Sequence, residues 1–574
     1  MKKILLLIFI SPIFSSHSQN ITTKFELSGG KESPVYSEII DWWKRLDEKS
    51  GKVKMFTMGM TDAGFPLHLI VVSNNGDYNF ANIRKNNKRI ILINNGIHPG
   101  EPDGIDASML MVRDIVTNKY KIPDNIVLAI IPVYNIGGCL NRSVNYRIDQ
   151  NGPVEKGFRG NSQNLDLNRD FIKCDSKDAR SFTEIFHLTD PDVFVDNHVS
   201  NGADYQHVIT LLTSQHNKLG GVMGEFISEQ FEPGLYSLMK EKQYDLIPYV
   251  NVYNDTPDKG WPEYWDSPRY GSGYASLWNT FAFVPETHML KPYDQRVKAT
   301  YALMQCFIDF TSQHSVEIKQ TRDQAKQAVK TQAKFPISWK LDKSKSAALT
   351  YKGYTAGYKP SEVSGHPRLY YDRSKPFEIK VPFYNEYEAQ DYIQKPRAYI
   401  IPQGWWKVLD LLKLNKVQVI QFKKDTSIEV EIYQITDYKT ASRQYEMHHL
   451  NSDVKLTTRV QKMNFRKGDY LVPMNQAANH FLIEVLEPQA QDSYFAWNFF
   501  DAILGQKEGY SPYAFEDIAA EYLKNNPGLK AKLEQKRLAD TSFAKSGSAQ
   551  LNFVYQNSAY LEPVNMRYPV YRIK

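Results

Sequence analysis

Two histidines and one glutamate stand where apolar stretches of this sequence end. His98 and Glu101 follow the apolar run 89–94 in a Pro-Gly turn, and His198 follows the apolar run 193–196. Imidazole and carboxylate groups suit zinc, and a site with three protein ligands leaves one position open for water. The spacing therefore predicts a zinc site of the hydrolytic type, with one ion per chain.

Each of the two histidines strengthens the prediction that the other is a metal ligand. A His-x-x-Glu pair alone is a weak pattern, and a lone histidine after a strand is usually a core residue. Here both histidines end buried strands, and α/β proteins bind ligands at the carboxyl ends of parallel strands. We therefore expect His98, Glu101 and His198 to meet at one edge of a sheet.

Strands and helices must alternate to build that edge. Apolar periodicity predicts the following elements in chain order: a helix over 37–46, strands over 53–58, 67–72 and 89–94, a helix over 103–115, a strand over 126–133, a helix over 179–188, strands over 193–196 and 282–285, and a helix over 294–310. This order is typical of an α/β domain with a mostly parallel sheet flanked by helices.

The 574 residues exceed what one core organises, so at least two domains are expected. Residues 1–19 carry two lysines, a short apolar run and small residues, which predict a signal peptide and a secreted or periplasmic protein. The catalytic domain is predicted over 20–315 and a linker with a surface helix over 316–347. A strand, helix and strand over 397–422 predict a second, mixed α/β domain over 348–574, to which no role is assigned.

The bulk properties exclude several classes of protein. A formal charge of +6 gives no support for nucleic-acid binding. No apolar stretch has the roughly 20 residues of a membrane span. Three scattered cysteines allow at most one disulfide, and burial as small apolar residues is the expected state of each. The sequence does not indicate an oligomeric state.

Between the zinc motifs lies an Asp-x-Asn-Arg element formed by Asp166, Asn168 and Arg169. Together with His98-x-x-Glu101 before it and His198 after it, this element resembles the zinc carboxypeptidase family over residues 22–315. The resemblance implies that Asn168 and Arg169 bind the terminal carboxylate of the substrate, as a planar guanidinium can do with paired hydrogen bonds. Asp166 would accept a hydrogen bond from His98 and orient it.

The family also has an arginine that polarises the scissile carbonyl. Arg159 fits that role here, while Arg142 and Arg147 remain alternatives. The general base would be Glu286, which ends the predicted strand over 282–285. A tyrosine that covers the substrate is expected in a glycine-containing loop; of the three candidates, Tyr264, Tyr270 and Tyr274, we select Tyr270.

The sequence therefore predicts a secreted zinc carboxypeptidase acting on peptides with a free C-terminus. The enzymatic alternative is a zinc-dependent amide deacylase or a cell-wall peptide amidase of the same superfamily; the deacylases share the two His, the Glu and an Asn-Arg element. A module that binds peptide or glycan without catalysis is the alternative from another class. The complete set of ligands, with Glu286, argues against that second alternative.

Overall fold

The computed structural model describes residues 21–574, so the signal peptide predicted over residues 1–19 lies outside the described residues. We call residues 21–315 the first unit and residues 348–574 the second unit, after the two predicted domains. Nine strands of the described chain form one mixed sheet in the first unit. Their order across the sheet is Val53–Met60, Pro66–Ser73, Ile126–Ile131, Arg89–Asn94, Val193–Asp196, Phe281–His288, Ile209–Thr213 and Ile247–Pro248, with His198–Ser200 paired to Phe281–His288. This confirms the predicted α/β fold class.

The middle of the sheet is parallel because helices connect its strands. Arg89–Asn94 pairs in parallel with Ile126–Ile131 on one side and Val193–Asp196 on the other. Every residue of these three strands is buried, as expected for strands with helices on both faces. The flanking helices are Tyr36–Lys49, Phe80–Lys85, Asp103–Val116, Lys177–Thr189, Gly221–Phe226, Glu232–Glu241 and Tyr293–Gln313.

The predicted linker contains a helix that packs on the first unit. Ser315–Thr331 is helical and buries Ile318, Arg322 and Val329. Arg322 lies 2.8 Å from Asp192 and 2.9 Å from Asp190 (N to O). The helix is therefore fixed to the carboxyl end of helix Lys177–Thr189 and to the loop before strand Val193–Asp196.

The second unit combines long hairpins, an antiparallel sheet and a helical cluster. The hairpin of Ala347–Pro360 with Pro367–Tyr384 extends onto the first unit through the short strand Trp261–Pro262. The six-stranded sheet has the order Ile420–Gln421, Tyr470–Pro473, Ala398–Ile401, Tyr571–Ile573, Thr426–Thr440 and Asn451–Phe465. The main helices of the second unit are Trp406–Leu414, Asn479–Leu486, Pro512–Asn525, Pro527–Ala539 and Gly547–Gln556.

One hydrophobic cluster continues across the two units. It contains Leu92 and Phe182 from the first unit and Phe481 and Trp497 from the second, all at 1% exposure or less. The three cysteines are free and buried, as expected. Among residues 21–574, no helix combines the length and apolar character needed to cross a bilayer.

A buried ion pair joins the helix after the zinc motif to the last helix of the first unit. Arg296 is fully buried, and its Nε lies 2.8 Å from Asp103 Oδ1. The same oxygen accepts a hydrogen bond from Thr287 at 3.2 Å. Breaking such a pair leaves an uncompensated buried charge.

We expect Arg296→Ala to lower the free energy of unfolding by about 3–5 kcal/mol, measured by urea denaturation. Lys298→Ala is the matched control, because Lys298 on the same helix pairs with Asp294 but is 62% exposed; its effect should stay under about 1 kcal/mol. Equal losses in the two variants would contradict this assignment.

Candidate metal centre

The register of two parallel strands brings the predicted ligands together. Asn94 lies opposite Asp196, and the side-chain Nδ2 of Asn94 donates to Asp196 Oδ1 at 3.0 Å. One residue further along each strand, the Asn197 amide donates to Asn95 Oδ1 at 2.9 Å. The strands thus end side by side, with His198 immediately beyond this double cross-link.

The turn that carries His98 and Glu101 requires glycine at two points. Gly96 has a φ of +65°, which residues with a side chain rarely adopt. A Cβ atom on Gly100 would lie 2.8 Å from Arg147 Cδ and 2.8 Å from the Gly157 carbonyl oxygen. The turn therefore approaches its neighbours too closely for any other residue at this position.

The three predicted ligands converge. His98, Glu101 and His198 are buried, and their donor atoms all lie within 4.8 Å of one another. His98 Nδ1 is 3.3 Å from Glu101 Oε1, and His198 Nδ1 is 3.2 Å from Glu101 Oε2. Tetrahedral zinc with bonds of about 2.0–2.1 Å separates its ligand atoms by about 3.3 Å. The donor set and its spacing fit a zinc ion.

Each histidine turns its other ring nitrogen towards a carboxylate. His98 Nε2 lies 2.9 Å from Asp166 Oδ1, and His198 Nε2 lies 3.2 Å from Asp196 Oδ2. Such contacts fix the orientation of metal-binding imidazoles. The contact between Asp166 and His98 is the one expected from the sequence. The equivalent contact of Asp196 was not expected, although the Asp-x-His pattern contains this residue.

Glu101 is held in its charged form. Burial disfavours its charge, but Arg147 and His98 more than compensate, so the pKa of Glu101 lies well below the usual value. Arg147 Nη1 donates to Oε1 at 2.7 Å, and the Val199 amide donates to Oε2 at 2.7 Å. Arg147, an alternative for the carbonyl-polarising arginine, thus supports the glutamate instead.

Arg159 lies at the mouth of the site. Its Nη1 is 3.3 Å from His98 Nδ1, and its Nε donates to Asp166 Oδ2 at 3.0 Å. Its side chain is 48% exposed, so it borders both the ligand atoms and the solvent. Arg142 is held by the Ser33 and Pro34 carbonyl oxygens instead.

A cavity of about 300 Å³ opens beside the ligands, and Asn168, Arg169 and Arg159 line it together with them. Arg169 is anchored by its Nη1, which donates to the Asn168 carbonyl oxygen at 2.8 Å. Three arginines line the cavity, Arg147, Arg159 and Arg169, and their guanidinium groups favour an anionic group of the ligand. Asp266, which the sequence analysis did not single out, also lines the cavity and pairs with Lys218.

Glu286 lines the same cavity, on the strand next to the ligand His198. Its Oε2 is buried and has no hydrogen-bond partner within the described part of the chain, residues 21–574. Burial raises the pKa of Glu286 to about 8, although His198 opposes the shift. A carboxyl group of this kind can take up and release a proton near neutral pH.

The tyrosine segment differs from the expected flexible loop. Residues Gly271–Ser276 form a short buried helix, and a Cβ atom on Gly273 would lie 2.1 Å from the Ser267 carbonyl oxygen, so glycine serves close packing there. Tyr264 and Tyr270 line the cavity. Tyr274 does not, because it is fully buried and donates to Asn415 at 2.6 Å.

Tyr270 also contacts the predicted carboxylate-binding arginine, since the Arg169 guanidinium carbon lies 4.6 Å from the centre of its ring. Tyr249 and Tyr253 line the cavity from another side and were not considered from the sequence. His448, which the sequence analysis did not single out, lies 2.8 Å from Asp175 (Nε2 to Oδ2). No local pattern signals that contact, because 273 residues separate the pair.

A known family model covers most of the predicted residues of this site. Residues 39–224 match the zinc carboxypeptidase family model. The predicted resemblance is thereby confirmed. The zinc carboxypeptidase match contains the three predicted ligands, Arg159, and the Asp166 to Arg169 element, while Glu286 lies beyond its end.

Several solved metallo-carboxypeptidases are similar to this chain at low sequence identity. The enzyme of Pseudomonas aeruginosa, solved with (2-guanidinoethylmercapto)succinic acid, is 13% identical, with 49% of this chain and 68% of that chain covered and a TM-score of 0.36. Helicoverpa armigera carboxypeptidase A is 13% identical, with 51% and 73% covered and a TM-score of 0.36. The Burkholderia cenocepacia metallo-carboxypeptidase is 14% identical, with 47% and 68% covered and a TM-score of 0.34. No curated protein matches the sequence significantly.

The purified protein is expected to bind one zinc ion per chain, measured by elemental analysis after gel filtration. His198→Ala should weaken zinc binding more than about tenfold in a chelator competition, because it leaves two protein ligands of three. His314→Ala, which removes a partly exposed histidine paired with Glu317, is the control and should bind zinc like the wild type. Equal affinity in all three proteins would rule out the site.

Proposed function

We propose that this protein is a secreted zinc-dependent carboxypeptidase that hydrolyses C-terminal peptide bonds. The observation that carries the proposal is the position of Glu286, whose buried Oε2 has no hydrogen-bond partner among residues 21–574 and which lines the cavity together with His98, Glu101 and His198. Arg169 faces the same cavity. A metal site, a base and an anion-binding group in one cavity are what carboxypeptidase chemistry needs.

The terminal carboxylate of the peptide binds to Asn168 and Arg169 in this proposal. The Tyr270 ring covers one face of the Arg169 guanidinium, and Arg169 Nη1 already donates to the Asn168 carbonyl oxygen. The group therefore presents a fixed edge to the cavity, which favours paired hydrogen bonds to a carboxylate. Tyr270, which lines the cavity beside Arg169, covers the bound C-terminal residue in this proposal.

Zinc bound by His98, Glu101 and His198 would polarise the scissile carbonyl and make water acidic enough to react. Glu286 takes a proton from the attacking water, and its free Oε2 is available for that proton. Arg159 donates hydrogen bonds to the carbonyl oxygen, where negative charge develops.

Glu286 then gives its proton to the leaving amine. Its pKa of about 8, raised by burial, suits both the uptake and the release of a proton. Glu286 lines the cavity beside the predicted zinc ligands, so one carboxyl group can carry the proton from the water to the amine. The products are a shortened peptide and one amino acid.

Export to the periplasm or the medium belongs to the proposal and is supported by the lysines, the apolar run and the small residues of segment 1–19. The partner is a peptide with a free C-terminus. Amino-terminal sequencing of the protein recovered from the culture medium or the periplasm would test export.

Glu286→Gln is expected to lower kcat at least about a hundredfold, because it removes the proton acceptor and keeps the shape of the side chain. Zinc content should not change. Glu317→Gln, at an exposed position, is the control and should match the wild type. Undiminished hydrolysis by Glu286→Gln would contradict the mechanism, and zinc binding without hydrolysis in the wild type would favour a binding module.

A further inference from the structure

A hairpin end of the second unit lies on the candidate site of the first. Residues 441–450 connect strand Thr426–Thr440 to strand Asn451–Phe465. We refer to residues 441–450 as the site hairpin. Two of its side chains, Tyr445 and Glu446, form hydrogen bonds to the Asp166 to Arg169 element.

Tyr445 holds the arginine that the proposed function assigns to the substrate carboxylate. Arg169 Nε donates to the Tyr445 hydroxyl at 2.8 Å, and Arg169 Nη1 donates to the Asn168 carbonyl oxygen at 2.8 Å. The Tyr270 ring covers the face of the guanidinium at 4.6 Å. With these contacts in place, the guanidinium cannot rotate about its long axis without losing Tyr445.

Glu446 holds the backbone of the same element. Its Oε2 accepts a hydrogen bond from the Asp166 amide at 2.9 Å. The Asp166 carboxylate in turn contacts His98 Nε2 at 2.9 Å. The site hairpin is therefore linked both to the anion-binding edge of the cavity and to the residue that orients a predicted zinc ligand.

The site hairpin is itself fixed in place by residues of both units. His448 Nε2 lies 2.8 Å from Asp175 Oδ2. The Tyr445 ring stacks near Trp497 at 6.2 Å between centroids, and the Arg269 guanidinium lies 4.9 Å from the Trp497 ring. Glu446 and Met447 adopt φ values of 48° and 71°, which side chains disfavour, so these contacts hold an otherwise unfavourable turn.

We propose that the second unit completes the substrate site, with Tyr445 as a positioning residue that sets the orientation of the carboxylate-binding Arg169. The inference rests on the proposed carboxypeptidase function. It assigns the C-terminal half of the chain a part in substrate recognition: fixing the arginine before the substrate arrives lowers the entropy cost of gripping a carboxylate.

The test compares one peptide with a free C-terminus and the same peptide amidated, using the full mature chain. Tyr445→Phe keeps the ring that stacks on Trp497 and removes the hydroxyl. We expect it to raise KM for the free peptide about tenfold, the loss of one hydrogen bond to a charged group, with a much smaller change in kcat. Tyr438→Phe, on the preceding strand and packed on Phe495, is the control.

A double-mutant cycle separates positioning from a general structural effect. In an Arg169→Lys background, which lacks the guanidinium Nε, Tyr445→Phe should change KM less than twofold. An unchanged KM in Tyr445→Phe, equal losses for free and amidated peptides, or full additivity with Arg169→Lys would each overturn the inference. If the wild type cleaves both peptides equally, the proposed function itself fails, and the two failures are thus distinguishable.

Discussion

The parallel pairing of strands Arg89–Asn94 and Val193–Asp196 is the constraint on which the site depends. The hydrogen bond between Asn94 and Asp196 fixes the register at the point where both strands end. A shift by one residue would turn His198 away from His98, since side chains alternate along a strand. The buried Arg296–Asp103 pair joins helix Asp103–Val116, which follows the zinc motif, to helix Tyr293–Gln313, which follows the strand that carries Glu286.

Buried acidic and basic side chains surround the predicted zinc ion, and their charges balance each other. Burial lowers the pKa of His198, but the Asp196 carboxylate more than reverses this, and the pKa lies well above its usual value. A cation bound by His198 would therefore compete with a proton for this ring. Glu101, held charged by Arg147, contributes negative charge to the same site.

The sequence predicts the first unit well because its strands are buried on both faces and its helices are amphipathic. The chemistry at strand ends, at His98 and His198, follows from the same local patterns. Residues that act across long separations carry no such local pattern: Tyr445 meets Arg169 from 276 residues away. The second unit's long strand Thr426–Thr440 is partly exposed and pairs with Asn451–Phe465 along most of its length. Alternating residues indicate such a strand but not its partner, so the mixed architecture was predicted only in outline.

The most direct test of the central claim is mass spectrometry of the products released from a library of unmodified peptides by the zinc-loaded protein. The account predicts stepwise loss of single residues from the C-terminus, with the N-terminal part of each peptide intact. Internal cleavage, or release of an acyl group with the peptide backbone left whole, would contradict it.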